Sequence, residues 1–407
     1  MTQGLNLGTA TVIRANARRL PLADNTVDLV VTSPPYFALR SYQDGGEHYA
    51  GQIGDEPTPV EFVDSLIEVT RECVRVLKPS GSLWVNLGDK YVADNRGSGV
   101  DKKRGEAKHA PRGPLGYITG GMRQKSLMGI PWRYALRCID NLGLILRAEV
   151  IWSKPNGLPE SVTDRVRRSH EQWFHFTLEP RYYSAVDEIC EPYTYGPAHP
   201  QDRSHPSFAQ RRTQDPVTDM WSGNPLGKLP SSVWTIPTEP LRVPDHLGID
   251  HFAAFPTEWP KRIIQGWSPA GVCAECGEGR RPITDRRSHG PTGVGGRVTS
   301  VPSAPDRREG ARKAIRVEIT GEACACDEPT APTTPGIVLD PFGGTGTTAM
   351  VAKALGRRGI SVDMSADYCR LADWRTNDRN QLAKVLDLDK VAQQDPDQLD
   401  LFGEAHA

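Results

Sequence analysis

Two strand-then-loop strings near opposite ends of the 407-residue chain constrain its fold more than any other feature. The first is the β-branched run Val27–Thr32, which is followed directly by a loop that begins at Ser33. The second is Ile337–Asp340, which is followed by a turn with three glycines and a helical run from Thr347. Continuous apolar strands of this kind are typical of parallel strands covered on both faces. The pattern predicts an α/β fold whose ligand site lies at the carboxyl edge of the sheet.

The glycine turn has the form of a Rossmann-type cofactor loop. Gly343, Gly344 and Gly346 allow the backbone to approach a ligand closely. The turn lacks the lysine of a P-loop and the third, helix-packing glycine of a dinucleotide loop. Asp363 ends the next predicted strand, 23 residues beyond Asp340, and an acid at about this spacing is suited to hold both ribose hydroxyls of a nucleoside. The turn therefore matches neither of these two phosphate-binding loops.

The loop Ser33-Pro34-Pro35-Tyr36 carries groups suited to an exocyclic amine. The Ser33 hydroxyl and the main-chain carbonyl of Pro34 are acceptors for an amino group whose lone pair is delocalised into a base. Successive prolines hold that carbonyl rigidly. Tyr36 offers an aromatic face on which an extruded base stacks. The alternative interpretation of this string is purely structural: a Pro-Pro turn closed by a packed tyrosine.

Together the two strings resemble those of the β-class DNA amino-methyltransferases, in which the catalytic string precedes the S-adenosylmethionine (SAM) loop. The segments 81–89 (GSLWVNLGD), 150–161 (VIWSKPNGLPES) and 251–260 (HFAAFPTEWP) are similar to further family segments. The resemblance implies an α/β, Rossmann-like SAM-dependent methyltransferase fold that is circularly permuted, with a mixed sheet, helices on both faces and loop-rich insertions. One departure is Asn16, which stands where the family often has an acidic residue near the adenine of the cofactor.

The resemblance also implies the site residues. The implied catalytic residues are those of the first loop: Ser33, Pro34, Pro35 and Tyr36. The implied SAM-binding residues lie in three segments of the chain: Asp340, Pro341, Phe342, Gly343, Gly344, Gly346, Thr347, Asp363, Phe255 and Pro256.

The target base is left open by the resemblance. Serine at the first position of the catalytic string is commoner in the cytosine-N4 group, and aspartate is commoner in the adenine-N6 group. A neutral Ser33 is also less able to organise the adenine edge, so we expect methylation of cytosine N4 in double-stranded DNA, with adenine N6 as the alternative. Other readings are an RNA or protein methyltransferase, a non-catalytic zinc-containing DNA-binding protein, and a dinucleotide oxidoreductase, which the missing third glycine disfavours.

The resemblance divides the chain into functional units. The predicted units are a catalytic half at 1–186 with a loop insertion at 92–129, a target-recognition region at 187–235, a cofactor-closing segment at 236–272, a cysteine-paired insertion at 273–335, a SAM-binding half at 336–384, and a flexible acidic tail at 385–407.

Four of the eight cysteines occur as close pairs, Cys273 with Cys276 and Cys324 with Cys326. Four thiolates are a complete ligand set for a tetrahedral structural zinc ion. The second pair has a shorter spacing than usual, so free thiols are the alternative. The sequence suggests no histidine or acidic ligand for a catalytic metal.

The acidic tail contains Gln398–Phe402 (QLDLF), which resembles the pentapeptide by which bacterial DNA-processing proteins dock on the replication sliding clamp. A short peptide with apolar anchors, presented on a disordered tail, suits such a groove. The alternative is a terminal apolar patch that folds back on the domain.

The overall charge and the hydropathy limit which classes of protein the chain can belong to. The 49 basic and 50 acidic residues give a net charge of −1, which provides no global signal for nucleic acid but permits a local basic face. No apolar run reaches the length of a membrane span, and no signal peptide is recognisable, so a cytoplasmic protein with no membrane partner is expected. The family resemblance also suggests a cognate restriction endonuclease as a partner.

Overall fold

The computed structural model describes residues 7–38, 43–44, 47–48, 51–92, 117–118, 121–157, 159–192, 226–249, 255–288, 315–326, 328 and 330–388. In chain order, the strands of these residues are β1 (Thr9–Arg14), β2 (Val27–Thr32), β3 (Gln43–Asp44), β4 (Glu47–His48), β5 (Leu77–Leu87), β6 (Tyr117–Ile118), β7 (Met122–Arg123), β8 (Ile145–Ser153), β9 (His170–Thr177), β10 (Val233–Thr235), β11 (Val272–Cys273), β12 (Arg281–Ser288), β13 (Ile315–Ala323), β14 (Thr333–Thr334), β15 (Ile337–Asp340) and β16 (Arg358–Asp363). The α-helices are α1 (Pro59–Val76), α2 (Ile130–Leu142), α3 (Glu258–Trp267), α4 (Thr347–Ala354), α5 (Ala366–Asn377) and α6 (Arg379–Val385).

Eight of these strands form one mixed sheet in the order β1-β16-β15-β2-β5-β9-β8-β10. Strand β9 is antiparallel to both of its neighbours, and the other pairs are parallel. The predicted mixed α/β sheet is therefore confirmed.

The centre of the sheet joins the two ends of the chain. Strands β15 and β2 are neighbours, with Val338 opposite Leu29 and Leu339 opposite Val30. Both strands are almost entirely buried, as their continuous apolar sequences predicted. Because paired parallel strands end at the same edge, the loops that follow β2 and β15 emerge side by side.

Helices cover both faces of the sheet, as predicted. On one face, α1 and α2 pack through a core that includes Phe62, Leu66 and Tyr134. On the other face, α3 and α4 pack on a core rich in aromatic rings, where Trp259 stacks on Trp173 with ring centroids 4.9 Å apart. Burial of such side chains is the main source of stability for a sheet of this kind.

The predicted insertions fall largely outside the described residues. This is true of most of 92–129, of 193–225 within the target-recognition region, and of 389–407 within the tail, which includes Gln398–Phe402. The last residues assigned to the target-recognition region, Val233–Thr235, form the edge strand β10 beside β8. None of the helices in the described part of the chain combines the length and apolar character needed to cross a bilayer.

Candidate active site

Hydrogen bonds join the carboxyl end of β2 to the carboxyl end of β15 and to the helix that follows the glycine turn. The Thr32 hydroxyl donates to Asp340 Oδ1 at 2.6 Å, and the Thr348 hydroxyl donates to Asp340 Oδ2 at 2.9 Å. The backbone N–H of Phe342 donates to Asp340 Oδ1 at 3.1 Å. Burial raises the pKa of Asp340 to about 6, against the effect of these three donors. Asp340 thus fixes the glycine turn directly against the residue that precedes Ser33.

A cavity of about 550 Å³ opens between the two loops, a volume in the range of small-molecule sites. Its lining combines the catalytic string and the glycine turn with residues of two further segments. These are Asn16, after β1, and Thr238, Glu239 and Phe255, before α3. The cavity is therefore built from both halves of the chain and spans the two predicted sites.

Three glycines shape the turn after β15, two through their backbone conformation and one through close contact with β16. Gly344 and Gly346 have φ angles of +49° and +73°, which only glycine adopts without strain. Gly343 donates its N–H to Val362 O at 2.8 Å, and a methyl group at this position would overlap the Ser361 hydroxyl. The turn consequently lies directly on β16 and leaves its cavity side open.

Asp363 at the end of β16 is held as an acceptor beside this turn. Its Oδ2 accepts the N–H of Gly344 at 3.0 Å, and its Oδ1 accepts the N–H of Ser365 at 2.9 Å. Asp363 also lines the cavity, and a carboxylate is the acceptor that hydroxyls of a ligand require.

The catalytic string is oriented by a residue that the sequence analysis missed, Asn86 at the end of β5. The Ser33 hydroxyl lies 3.2 Å from Asn86 Oδ1 and donates to it. The Tyr36 hydroxyl is within donor range of Asn86 Oδ1 at 2.8 Å and Glu171 Oε2 at 2.7 Å. The Asn86 side-chain amide is itself fixed, because Nδ2 donates to Gln172 O at 3.1 Å.

Tyr36 is held at its ring by Gly88 and at its hydroxyl by Glu171. A Cβ at Gly88 would lie only 2.6 Å from the Tyr36 ring, so the glycine makes room for it. Glu171 also contacts Lys154, and the Lys154 ammonium lies 4.1 Å from the centre of the Trp152 ring. This network leaves Tyr36 half-buried at the cavity wall with its hydroxyl anchored.

Most of the predicted site residues meet at this cavity. All four catalytic candidates line it, as do these cofactor candidates: Pro341, Phe342, Gly343, Gly344, Thr347, Asp363 and Phe255. The other three, Asp340, Gly346 and Pro256, lie outside its lining. Asp340 is only 1 % exposed, and its carboxylate oxygens bond to Thr32, Phe342 and Thr348, so it ties the end of β2 to the glycine turn and its helix.

Asn86, Lys154 and Glu171 line the cavity but were not predicted as site residues. The one available signal was a polar residue inside an apolar strand, since Asn86 stands between Val85 and Leu87. No comparable signal marked Glu171, whose role depends on β9 being the neighbour of β5.

The four paired cysteines form a separate cluster. Their sulfur atoms all lie within 4.8 Å of one another. The cluster is built on β11 and β14, with Cys273 opposite Thr333, and β14 ends just before β15 begins. It therefore lies towards the amino end of β15, whereas the cavity lies at the carboxyl end of the same strand.

Comparison with known proteins places this geometry in a family. A family model described as DNA methylase matches residues 27–272 and 331–373. The Type II methyltransferase M.SmaI of Serratia marcescens is 30% identical over 375 residues, which cover 91% of each chain. The chain belongs to this family of DNA methylases. The Type II methyltransferase M.Cfr9I of Citrobacter freundii is 34% identical over 63% of this chain and 72% of its own.

A solved structure has the same fold. PvuII DNA methyltransferase (cytosine-N4-specific) superposes with a TM-score of 0.50 at 17% identity, over 94% of this chain and 92% of that chain. The protein is accordingly a SAM-dependent DNA amino-methyltransferase, and the non-catalytic and oxidoreductase readings are set aside. The cavity fits SAM, since its lining offers an oriented carboxylate, an open glycine turn and apolar rings.

Proposed function

We propose that this methylase transfers the methyl group of SAM to the exocyclic N4 of a cytosine flipped out of duplex DNA. The observation that carries the proposal is the neutral Ser33 hydroxyl, which lines the cavity and donates to Asn86. Because its proton is engaged by Asn86, its lone pairs are available to accept hydrogen bonds from an amino group. A serine at this position favours cytosine over adenine.

The residues of the catalytic string have distinct proposed roles. Ser33 Oγ and the carbonyl of Pro34 accept the amino hydrogens, which turns the nitrogen lone pair out of conjugation with the ring. Tyr36 presents its ring to the face of the base. SAM, when bound, supplies a methyl group on a sulfonium sulfur, which is an excellent leaving group. The protein contributes mainly alignment of the amine, a contribution that reaches about 7–11 kcal/mol in well-oriented reactions.

The proposed cofactor site is the half of the cavity beside β15 and β16. Asp363 holds the ribose hydroxyls, while Pro341–Gly344 pass close to the cofactor backbone. Phe255 covers the methionine end, and Asn16, which also lines the cavity, is assigned to the adenine. These placements rest on the lining of the cavity and on the acceptor orientation of Asp363.

The base identity is tested by expressing the chain in a host that lacks DNA methylation and analysing the hydrolysed DNA by mass spectrometry. We expect N4-methylcytosine, at one sequence that methylation sequencing identifies. The DNA of the same host that expresses Ser33→Ala serves as the control. Detection of N6-methyladenine in place of N4-methylcytosine would overturn the base assignment while leaving the amino-methyltransferase activity intact.

We also propose that Cys273, Cys276, Cys324 and Cys326 hold one structural zinc ion. The sulfur geometry supports this, since four thiolates of mutual separation below 4.8 Å suit tetrahedral coordination. The family model also has a gap at 273–330, which contains all four cysteines and marks this segment as an insertion relative to the family.

Zinc removal is expected to destabilise the insertion and to leave SAM binding nearly unchanged, because the cluster and the cavity lie towards opposite ends of β15. The purified protein should contain about one zinc ion per chain, measured by plasma mass spectrometry. Chelation should expose 273–335 to limited proteolysis while the Kd for SAM, measured by calorimetry, changes little. Cys276→Ser should reproduce the effect, whereas Cys190→Ser, outside the cluster, should retain zinc. A zinc-free native protein, or equal loss of SAM binding, would contradict a structural site.

For the tail we propose docking on the replication sliding clamp through Gln398–Phe402, a segment outside the described residues. The proposal rests on the QLDLF sequence. A pull-down with purified clamp should retain the wild-type chain and lose the double variant Leu401→Ala/Phe402→Ala. Equal retention of both proteins would exclude this docking mode.

The relatives are named Type II methyltransferases, and we propose a restriction-modification setting for this protein as well. Its endonuclease partner would act on the same DNA sequence. The two enzymes would therefore share a DNA target, and a direct contact between them is not required. DNA methylated by this protein should then resist cleavage by that endonuclease.

A further inference from the structure

Arg375, on α5, is a buried cation directly behind the glycine turn. Its side chain is 2 % exposed overall. Its Nη1 donates to Thr347 Oγ1 at 2.6 Å and to Thr345 Oγ1 at 2.8 Å. Among the described residues it makes no ion pair with a carboxylate, and its Nε has no hydrogen-bond partner. Neither the predicted site nor the proposed mechanism accounts for this residue.

The position of Arg375 is electrostatically costly, and the negative charge of Glu239, which also lines the cavity, offsets only part of the cost. Thr347 is the first residue of α4, and a helix N-terminus carries partial positive charge from its unsatisfied N–H groups. A guanidinium placed there repels the helix end and also loses its hydration. Burial lowers the pKa of Arg375 only to about 10, so the side chain is still a cation at neutral pH.

Thr345 and Thr347 lie between Arg375 and the cavity. Both line it, and their hydroxyl oxygens lie 3.2 Å apart. Arg375 donates to both oxygens, and the two hydroxyl groups share one hydrogen bond, so one threonine donates to the other and the second keeps its proton for a ligand. The helix end, the guanidinium and the two hydroxyl groups therefore converge on a place suited to an anion.

The cavity lining indicates which anion this is. Its two cations, Arg18 and Lys154, already contact carboxylates, those of Glu68 and Glu171. SAM carries a single anionic group, the carboxylate of its methionine end, which needs a positive partner in an enclosed site. Phe255, proposed above to cover the methionine end, lines the same cavity.

We propose that Arg375 is a positioning residue which, through the hydroxyl groups of Thr345 and Thr347, holds the carboxylate at the methionine end of SAM. The inference rests on the proposed placement of SAM in this cavity. Arg375 does not touch the cofactor in this scheme; it orients the two hydroxyls and supplies the charge behind them.

The test compares binding of SAM with binding of decarboxylated SAM, which lacks only the carboxylate, by isothermal titration calorimetry. Arg375→Gln should weaken SAM binding by about 10- to 100-fold, the effect of losing hydrogen bonding to a charged group, and should leave the affinity for decarboxylated SAM unchanged. Arg375→Lys should recover part of the lost affinity. Thr345→Val, which keeps the side-chain volume, should also reduce the preference for SAM.

A matched control is Arg357→Gln. Arg357 is also a mostly buried arginine whose Nε lacks a partner among the described residues, but it donates to Leu355 O and Ser268 O, away from the cavity. This variant should lose stability and keep the wild-type preference for SAM. If Arg375→Gln weakens the binding of SAM and of decarboxylated SAM equally, or weakens neither, the proposed role of Arg375 is wrong. If Arg375→Gln does not fold, the deciding result is an unchanged preference of Thr345→Val for SAM over decarboxylated SAM, which would also overturn the role. Failure of the wild-type chain to bind SAM would instead overturn the site placement.

Discussion

Replacing Ser33 with alanine is expected to lower kcat for DNA methylation by about 100- to 1000-fold, the usual effect of removing one group that stabilises charge change in a transition state. The variant removes the acceptor that we assign to the amino group and leaves Pro34 and Tyr36 in place. SAM affinity and thermal stability should stay at wild-type values, because Ser33 is half-buried and its only described partner is Asn86. Single-turnover transfer of a labelled methyl group to duplex DNA measures the effect.

Tyr36→Phe is the matched control for this prediction. It removes the hydroxyl that contacts Asn86 and Glu171 and keeps the ring on which the base stacks. The rate should therefore fall by clearly less than for Ser33→Ala, because the hydroxyl is bonded to Asn86 and Glu171 and not to the reacting amine. If Ser33→Ala retains nearly full activity while Tyr36→Phe is inactive, Ser33 is not the acceptor of the amino group.

The second large effect is expected for Gly343→Ala, which should destabilise the protein by about 3 kcal/mol and reduce SAM affinity by about tenfold or more. The added methyl group would overlap the hydroxyl of Ser361 on β16, a fully buried residue whose Cβ and Cα would also lie only 3.0 and 3.2 Å away. The turn would then have to lift from the sheet and lose the hydrogen bond from Gly343 N–H to Val362 O. Urea unfolding followed by circular dichroism measures the stability, and calorimetry measures the affinity.

Gly344→Ala separates the effect of overlap from that of backbone strain. Gly344 has a φ of +49°, and the nearest atom to a Cβ placed there is Phe342 O at 3.9 Å. Its replacement should cost only about 1 kcal/mol, the penalty of a left-handed conformation. A Gly343→Ala protein as stable as Gly344→Ala would show that the turn does not depend on close contact with β16.

The local chemistry of the site was readable from the sequence because it is carried by short contiguous strings. Ser33–Tyr36 and the glycine turn each follow a strand made of apolar, largely β-branched residues, and strand period, proline rigidity and glycine conformation are properties of neighbouring residues. The paired cysteines were equally visible, and their sulfur atoms do lie together. The zinc ion itself stays a prediction.

The supporting residues were not readable in this way. Asn86, Glu171 and Arg375 lie in unrelated segments and have no motif of their own. Asp340 was predicted to bind the cofactor, and the structure shows it buried at the end of β15, bonded to Thr32 and Thr348. Each of these roles is set by a contact across 28 to 308 residues of chain, and no local pattern encodes such a contact.

By itself, the sequence determined the kind of chemistry and its order along the chain: an amine-accepting string first and a cofactor turn last. Only the tertiary structure decided that β15 lies beside β2, so that Asp340 bonds to Thr32 and one cavity serves both strings. The physical reason is that strand period and turn chemistry depend on adjacent residues, whereas strand order depends on which buried faces pack together once the whole chain has folded.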